Sequence, residues 1–280
     1  MDKYKPITGV AAGVPYVALP PAGDRTKRAP LVVAWHLMDP PRTEAALASA
    51  LPLAEVQAWR VYLGLPMFGA RSPAGGFDEV LRLSAEDFVL KVFAPVVEQA
   101  AAEAPAAIEA LRAELPIEDG PIGLVGGSMG SAVALLLLSE GKLPVTAAAL
   151  ISPVVQLEPV MTGHSHHDSA TYAWTEASRV VAARFDFVAR ATEVARRNPQ
   201  PAVLLVTGAD DVAAFREPAT AFRDALLGFY ADPDRISVVS VPEMAHALAD
   251  SPGIEPAPQT ASAQRVDAVV TDWFRRYLGR

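Results

Sequence analysis

Residues 121–136 combine an apolar run, a glycine-rich turn and a second apolar run, with one serine in the turn. This order predicts a buried strand, a sharp turn and a helix, with Ser128 at the turn. Gly126 and Gly130 flank Ser128 where side chains would collide with the neighbouring strand or helix if the turn were tight enough to expose the hydroxyl. A serine presented in this way is a nucleophile for a carbonyl carbon. Ser128 is therefore the first candidate catalytic residue.

A serine hydroxyl is a weak nucleophile at neutral pH, so it needs a histidine to accept its proton and a carboxylate to orient that histidine. Asp210 and Asp211 follow one predicted strand, and His246 follows the next. The carboxyl ends of parallel strands share one edge of a sheet, so residues remote in sequence can meet there. The sequence thus predicts a catalytic triad of Ser128, His246 and one of the two aspartates.

Acyl chemistry also needs two backbone N–H groups that stabilise the oxyanion of the tetrahedral intermediate. The residue after the nucleophile supplies one of them, and here that residue is Met129. The second is expected from the loop after the predicted strand 31–35, which begins His36, Leu37, Met38.

Apolar, β-branched segments recur along the chain with helical segments between them. Several of these runs are continuous rather than alternating, which is typical of strands covered on both faces. The pattern predicts a single α/β domain over residues 1–280, with a mostly parallel central sheet flanked by helices. Pro105 is expected to begin a new helix. The predicted strands are 14–19, 31–35, 60–65, 122–125, 147–151, 202–207 and 236–241, and the predicted helices are 43–58, 85–103, 105–115, 129–138, 218–230 and 261–278.

Residues 156–198 separate two predicted strands by more than one crossover helix requires. We interpret this segment as a small helical cap or lid inserted within the domain. Its second half, residues 172–197, has apolar side chains on one side and arginines largely opposite, which predicts an amphipathic helix. A cap over a pocket would need such a face, and so would an ordinary packed helix.

Apolar and aromatic side chains near these loops are candidates for substrate binding. Met67 and Phe68 follow the predicted strand that ends at position 65, and Tyr172 and Trp174 lie in the cap segment. They favour an apolar acyl or alcohol group, although any of them could belong to the core. His36 is expected at the same site as a structural residue that braces its loop, with a second base as the alternative.

Composition narrows the range of partners. The 32 acidic residues outnumber the 24 basic ones, and no basic block could neutralise a run of phosphates, so nucleic acid is not an expected partner. The first residues lack the apolar stretch of a secretory signal and no apolar run could span a bilayer, so a cytoplasmic location without a membrane partner is expected. The chain has no cysteine, which excludes disulfides, thiolate zinc sites and a cysteine nucleophile.

Residues 164–168 read His-Ser-His-His-Asp and offer three imidazoles and a carboxylate that could bind zinc or nickel. Contiguous ligands in a polar loop usually cannot all face one ion, so we expect a solvated loop without a functional metal. The triad chemistry itself requires no cofactor.

These motifs resemble those of the α/β-hydrolase superfamily, and the resemblance covers nearly the whole chain. The matching features are Gly-Gly-Ser-Met-Gly at 126–130, Gly-x-x-Asp at 208–211 and the histidine after the last strand. The resemblance implies the α/β-hydrolase fold, and its spacing favours Asp211 over Asp210 as the triad acid. It is greatest to esterases, dienelactone-hydrolase-like enzymes and prolyl-oligopeptidase-like catalytic domains, although true dienelactone hydrolases use a cysteine.

The loop after the first central strand departs from the family pattern. In relatives this loop often begins His-Gly, and the next residue supplies an oxyanion amide. This chain has Leu37 in the place of that glycine, which leaves Met38 as the expected donor and Leu37 as the alternative.

The combined expectation is a serine hydrolase that cleaves a small-molecule carboxylic ester through an acyl-enzyme intermediate. An acyltransferase, a perhydrolase or a peptidase would use the same triad and the same first step. A non-catalytic binding protein on the same fold is the alternative from another class.

Overall fold

The computed structural model describes residues 6–21, 27–141, 143–163 and 172–278. Within them, eight strands form one sheet in the order β1-β2-β4-β3-β5-β6-β7-β8. Strands β3 to β8 are mutually parallel, whereas β1 pairs antiparallel with β2, and β2 with β4. The predicted mostly parallel sheet is confirmed. The strands are β1 (Ile7–Ala11), β2 (Val14–Leu19), β3 (Leu31–Trp35), β4 (Trp59–Leu63), β5 (Ile122–Gly127), β6 (Val145–Ile151), β7 (Ala202–Gly208) and β8 (Ile236–Val241).

Helices cover both faces of this sheet. Val33 and Trp35 of β3 belong to the apolar cluster that includes α3 and α4, whereas Val32 and Ala34 of the same strand belong to the cluster that includes α1 and α9. A central strand is therefore buried on both faces, which explains its unbroken apolar sequence. The helices are α1 (Glu44–Ala50), α2 (Gly76–Phe88), α3 (Ala94–Glu114), α4 (Met129–Glu140), α5 (Leu157–Gly163), α6 (Glu176–Arg184), α7 (Ala191–Ala195), α8 (Ala213–Leu227) and α9 (Ala261–Tyr277).

The predicted helix break at Pro105 is wrong. Helix α3 runs through Pro105 without interruption, and the chain breaks instead at Asp87, whose backbone is extended (φ −165°, ψ 95°). The Asp87 carboxylate accepts a hydrogen bond from the Leu90 amide at 2.9 Å, so it caps the π-helical turn Val89–Phe93 that leads into α3. Apolar packing of the α3 alanines keeps the helix continuous despite the amide hydrogen that proline lacks.

The single amphipathic helix predicted over residues 172–197 is also wrong. The structure has two short helices, α6 and α7, with the buried side chains of Phe185 and Phe187 at the break between them. Helix α7 packs on α4 and α8 as a crossover helix does, whereas α5 packs on α8 near the end of β6. The interpretation of residues 156–198 as a cap within one domain stays a prediction.

None of the helices in the described ranges is both long enough and apolar enough to cross a membrane.

Candidate active site

Ser128 lies in a strained turn between β5 and α4. Its backbone has φ 44° and ψ −114°, outside the region that side-chain-bearing residues normally occupy. A Cβ added to Gly126 would lie 2.3 Å from the Gly130 carbonyl oxygen, and one added to Gly130 would lie 2.4 Å from the Trp35 carbonyl oxygen. Only glycine fits these contacts between backbone segments, as the sequence motif predicts.

The structure brings Ser128, His246 and Asp211 into one hydrogen-bonded chain. Ser128 Oγ lies 2.8 Å from His246 Nε2, and His246 Nδ1 lies 2.9 Å from Asp211 Oδ2. The Asp211 side chain is buried, and its other oxygen accepts a hydrogen bond from the Val212 amide at 2.8 Å. The neighbouring Asp210 is exposed, so Asp211 is the aspartate that contacts the imidazole.

Two further side chains, neither of them predicted from sequence, hold the imidazole in position. The ring of Phe215 lies against His246 with 4.0 Å between ring centroids. Ser152, at φ 41°, donates a hydrogen bond from its hydroxyl to the His246 carbonyl oxygen at 3.3 Å. Both contacts restrict His246 to the position between Ser128 and Asp211.

The loop after β3 lies beside the turn at Ser128. The Leu37 side chain is fully buried against Gly127, where an added Cβ would lie 2.2 Å from Leu37 Cδ1. Met38 and Met129, by contrast, line the cavity that contains Ser128. This placement favours Met38 over Leu37 as the second amide donor beside Met129, and the assignment stays a prediction.

His36 is completely buried and has both ring nitrogens bonded to the backbone. The Leu65 amide donates to Nε2 at 3.3 Å, so Nδ1 carries the proton and donates to the Leu37 carbonyl oxygen at 2.6 Å. Burial lowers the pKa of His36 to about 4, and the smaller effect of the hydrogen bond to Leu37 opposes that change. A neutral imidazole that joins β4 to the loop after β3 suits a structural brace rather than a second base.

The buried imidazole makes stability depend on pH. The pKa of His36 is about 4 in the folded protein and near 6.5 in an unfolded chain, so between these values the unfolded chain binds more protons and stability falls as the pH falls. From pH 7 to pH 4.5 we expect this group to remove roughly 2–3 kcal/mol of unfolding free energy. Urea unfolding at the two pH values should show a smaller loss for a His36→Gln variant. Equal losses for both proteins would contradict this prediction.

A cavity of about 490 Å³ opens over Ser128 and His246. Its wall is mainly apolar, and most of it comes from three segments: the loop after β3, helix α2 and helix α5. Phe93, Val154 and Phe215 come from other parts of the chain and complete the wall. A cavity of about 690 Å³ near Pro30 and Phe274 is remote from the hydrogen-bonded chain and contains neither serine nor histidine. The side chains that these three segments contribute include Met38, Asp39, Arg42, Phe77, Leu81, Phe88, Leu157, Val160 and Met161.

The four side chains predicted to contact substrate, and also His36, lie outside this wall. Phe68 is buried edge-on against His36, with 5.5 Å between ring centroids, and Met67 packs against the core. The Tyr172 hydroxyl donates to Asp87 Oδ1 at 2.7 Å, and Trp174 stacks edge-on against Tyr172. The wall thus favours α2 and α5 as the substrate-contacting segments, which sequence reasoning missed. The predicted metal-free loop 164–168 lies outside the described residues.

No protein-family model and no curated protein sequence matches this chain. Solved structures do match it. TT1662 from Thermus thermophilus is 19% identical over 96% of this chain and 98% of that one, with a TM-score of 0.64. Carboxyl esterase 2 from Tuber melanosporum is 17% identical over 99% of this chain and 89% of that one, with a TM-score of 0.61. Acylaminoacyl peptidase from Pyrococcus horikoshii is 15% identical over 100% of this chain and 43% of that one, with a TM-score of 0.63.

The sheet order, the turn at Ser128 and these neighbours define the α/β-hydrolase fold, which confirms the fold that the sequence motifs imply. Where the names of the neighbours state an activity, it is that of an esterase or a peptidase. At identities below 20%, the likeness establishes the fold and leaves the reaction to be argued from the site.

Proposed function

We propose that this protein is a serine hydrolase that cleaves a carboxylic ester through an acyl-enzyme intermediate. The observation that supports this most strongly is the hydrogen-bonded chain from Ser128 through His246 to the buried Asp211. Each member has the environment that its role needs: a strained turn for the nucleophile, a ring held in place for the base, and burial for the acid.

In the first step, Ser128 Oγ attacks the ester carbonyl while His246 Nε2 takes its proton. Asp211 then stabilises the imidazolium through the 2.9 Å hydrogen bond at Nδ1. The amides of Met129 and Met38 are the proposed donors to the oxyanion, with Leu37 as the alternative to Met38. His246 next returns the proton to the leaving alcohol, and the acyl group stays on Ser128.

In the second step, His246 accepts a proton from water, and the resulting hydroxide equivalent attacks the acyl-enzyme carbonyl. The intermediate collapses to the carboxylic acid, and the proton returns to Ser128 Oγ. The apolar wall formed by α2 and α5 supports a substrate with an aliphatic or aromatic part next to the ester. A small-molecule ester is therefore the proposed partner, and this chemistry needs no cofactor.

The experiment that tests this proposal combines covalent labelling with turnover. We expect a fluorophosphonate probe to label the protein once, on the peptide that contains Ser128, and we expect hydrolysis of 4-nitrophenyl esters of aliphatic acids. Mass spectrometry of the digested protein locates the label, and a Ser128→Ala variant provides the unlabelled control. A folded protein that neither takes up the probe nor hydrolyses any ester of the series would contradict the proposal and support a binding protein.

A further inference from the structure

Two charged side chains, Asp39 and Arg42, belong to the wall of the cavity above Ser128. Both come from the loop after β3. Asp39 Oδ2 lies 3.8 Å from His246 Nε2, so this carboxylate is at the catalytic end of the cavity. Arg42 lies against α2, with its guanidinium carbon 4.6 Å from the centre of the Phe77 ring. The two charges therefore mark different parts of the wall.

The guanidinium of Arg42 has neither an ion-pair partner nor a hydrogen-bond acceptor among the described residues, and its one charge contact is the Phe77 ring. Its Nε is buried without a hydrogen-bond partner, and no described carboxylate or carbonyl accepts a hydrogen bond from its terminal nitrogens. Two other arginines differ from Arg42, because Arg60 donates to backbone carbonyls and Arg71 pairs with Glu103. Arg42 belongs to the cavity wall, so its terminal nitrogens, which have no described acceptor, can donate to an anionic group of a ligand.

The position of Arg42 is fixed by its surroundings. The Arg42 amide donates to the Gly253 carbonyl oxygen at 2.7 Å. Two residues earlier in the same loop, the Pro40 carbonyl oxygen accepts a hydrogen bond from the Leu248 amide at 3.0 Å. The Phe77 ring covers one face of the guanidinium, which restricts the movement of the Arg42 side chain. A guanidinium held in this way loses little entropy when it binds a planar anion.

We infer that Arg42 forms a carboxylate-binding subsite within the cavity, so that the preferred substrates are esters with a free carboxylate remote from the ester bond. The inference rests on the proposed function and specifies its substrate class. A guanidinium binds a carboxylate through two parallel hydrogen bonds, and the apolar wall strengthens that attraction. One cation in a wall that also contains Asp39 matches a monovalent carboxylate better than a dianionic phosphate.

A charged and a neutral substrate of the same shape test this subsite. The mono-4-nitrophenyl esters of adipic, suberic and sebacic acid carry a free carboxylate at the far end. The mixed diesters, in which that carboxylate is a methyl ester, are neutral. For the half-ester of best-fitting length, we expect Arg42→Gln to lower kcat/KM by about 10- to 100-fold. For the methyl diester, the change should stay within about threefold, because only the charge-assisted contact is lost. Arg42→Lys should retain part of the preference, because lysine keeps the charge without the two-pronged geometry.

Arg216→Gln provides the matched control, because Arg216 is exposed on α8 and lies outside the cavity wall. It makes the same change in net charge and should leave the ratio between the two esters unaltered. The subsite would be overturned if Arg42→Gln lost activity equally on both esters, or if it lost no activity on either. In both cases the proposed hydrolysis would stand.

A binding measurement separates this inference from the proposed function. Monomethyl suberate should bind the Ser128→Ala protein in a calorimetric titration, and at least tenfold more weakly when Arg42→Gln is added. Weaker binding in the double variant supports the subsite even if no ester is hydrolysed. Equal binding by Ser128→Ala and by the double variant would overturn the subsite, whether or not the protein hydrolyses esters.

Discussion

Replacing Ser128 with alanine is expected to lower kcat on a 4-nitrophenyl ester by about 10⁴- to 10⁶-fold. The loss is large because no other described side chain takes up the position 2.8 Å from His246 Nε2. The remaining turnover should come from the oxyanion donors and from substrate binding, which the substitution leaves in place. Steady-state kinetics with active-site titration of the wild-type protein give the ratio directly.

The fold should tolerate this substitution, because Ser128 makes its structural hydrogen bonds through its backbone. The thermal midpoint of Ser128→Ala is therefore expected within a few degrees of the wild-type value. Adding His246→Ala to Ser128→Ala should cost almost nothing more, since the base has no function without the nucleophile. Wild-type turnover in Ser128→Ala, or additive losses in the double variant, would refute the triad.

Replacing Asp211 with asparagine is expected to lower kcat by about 10³- to 10⁴-fold. The Asp211 carboxylate receives a hydrogen bond from His246 Nδ1 and so keeps the proton off Nε2, the nitrogen that must accept the serine proton. An asparagine amide can donate to Nδ1 instead, which places the imidazole proton on Nε2. Steady-state kinetics of the two proteins on the same 4-nitrophenyl ester measure this loss.

Asp210 offers a control one residue away in the sequence. Its side chain is exposed, and its amide donates to the Met244 carbonyl oxygen, a contact that asparagine preserves. We expect Asp210→Asn to stay within about threefold of wild-type kcat. A larger loss from Asp210→Asn than from Asp211→Asn would reverse the assignment of the acid.

The hydrogen-bonded chain of Ser128, His246 and Asp211 could be predicted from sequence because its signals are local. The glycines around Ser128 mark a turn that only glycine allows, and Asp211 and His246 each follow an apolar run that forms a parallel strand. A turn and a strand end leave a pattern within a few residues, and the shared edge of a parallel sheet then brings the three side chains together.

The cavity wall could not be predicted in the same way. Helix α2 is broken at Asp87, one residue before its end. The Asp87 carboxylate also accepts a hydrogen bond from the hydroxyl of Tyr172, which lies 85 positions later in the chain. Contacts over such a separation leave no periodic signal. Strand β1 was missed for a related reason: it lies at the sheet edge, and Thr8 and Val10 are exposed, so it lacks the continuous apolar run of the inner strands.

The close backbone contact at Gly208 has a consequence for protein engineering. A Cβ at Gly208 would lie 2.2 Å from the Met244 carbonyl oxygen. The backbone just before Asp211 therefore packs directly against the backbone just before His246. The wall above them consists instead of side chains such as Leu81 and Met161, which lie on α2 and α5. Randomising wall positions should therefore change the shape of the cavity and leave the positions of Asp211 and His246 unchanged. Substitutions at Gly208 would instead disturb the fold, so a library at that position would select mainly for folding.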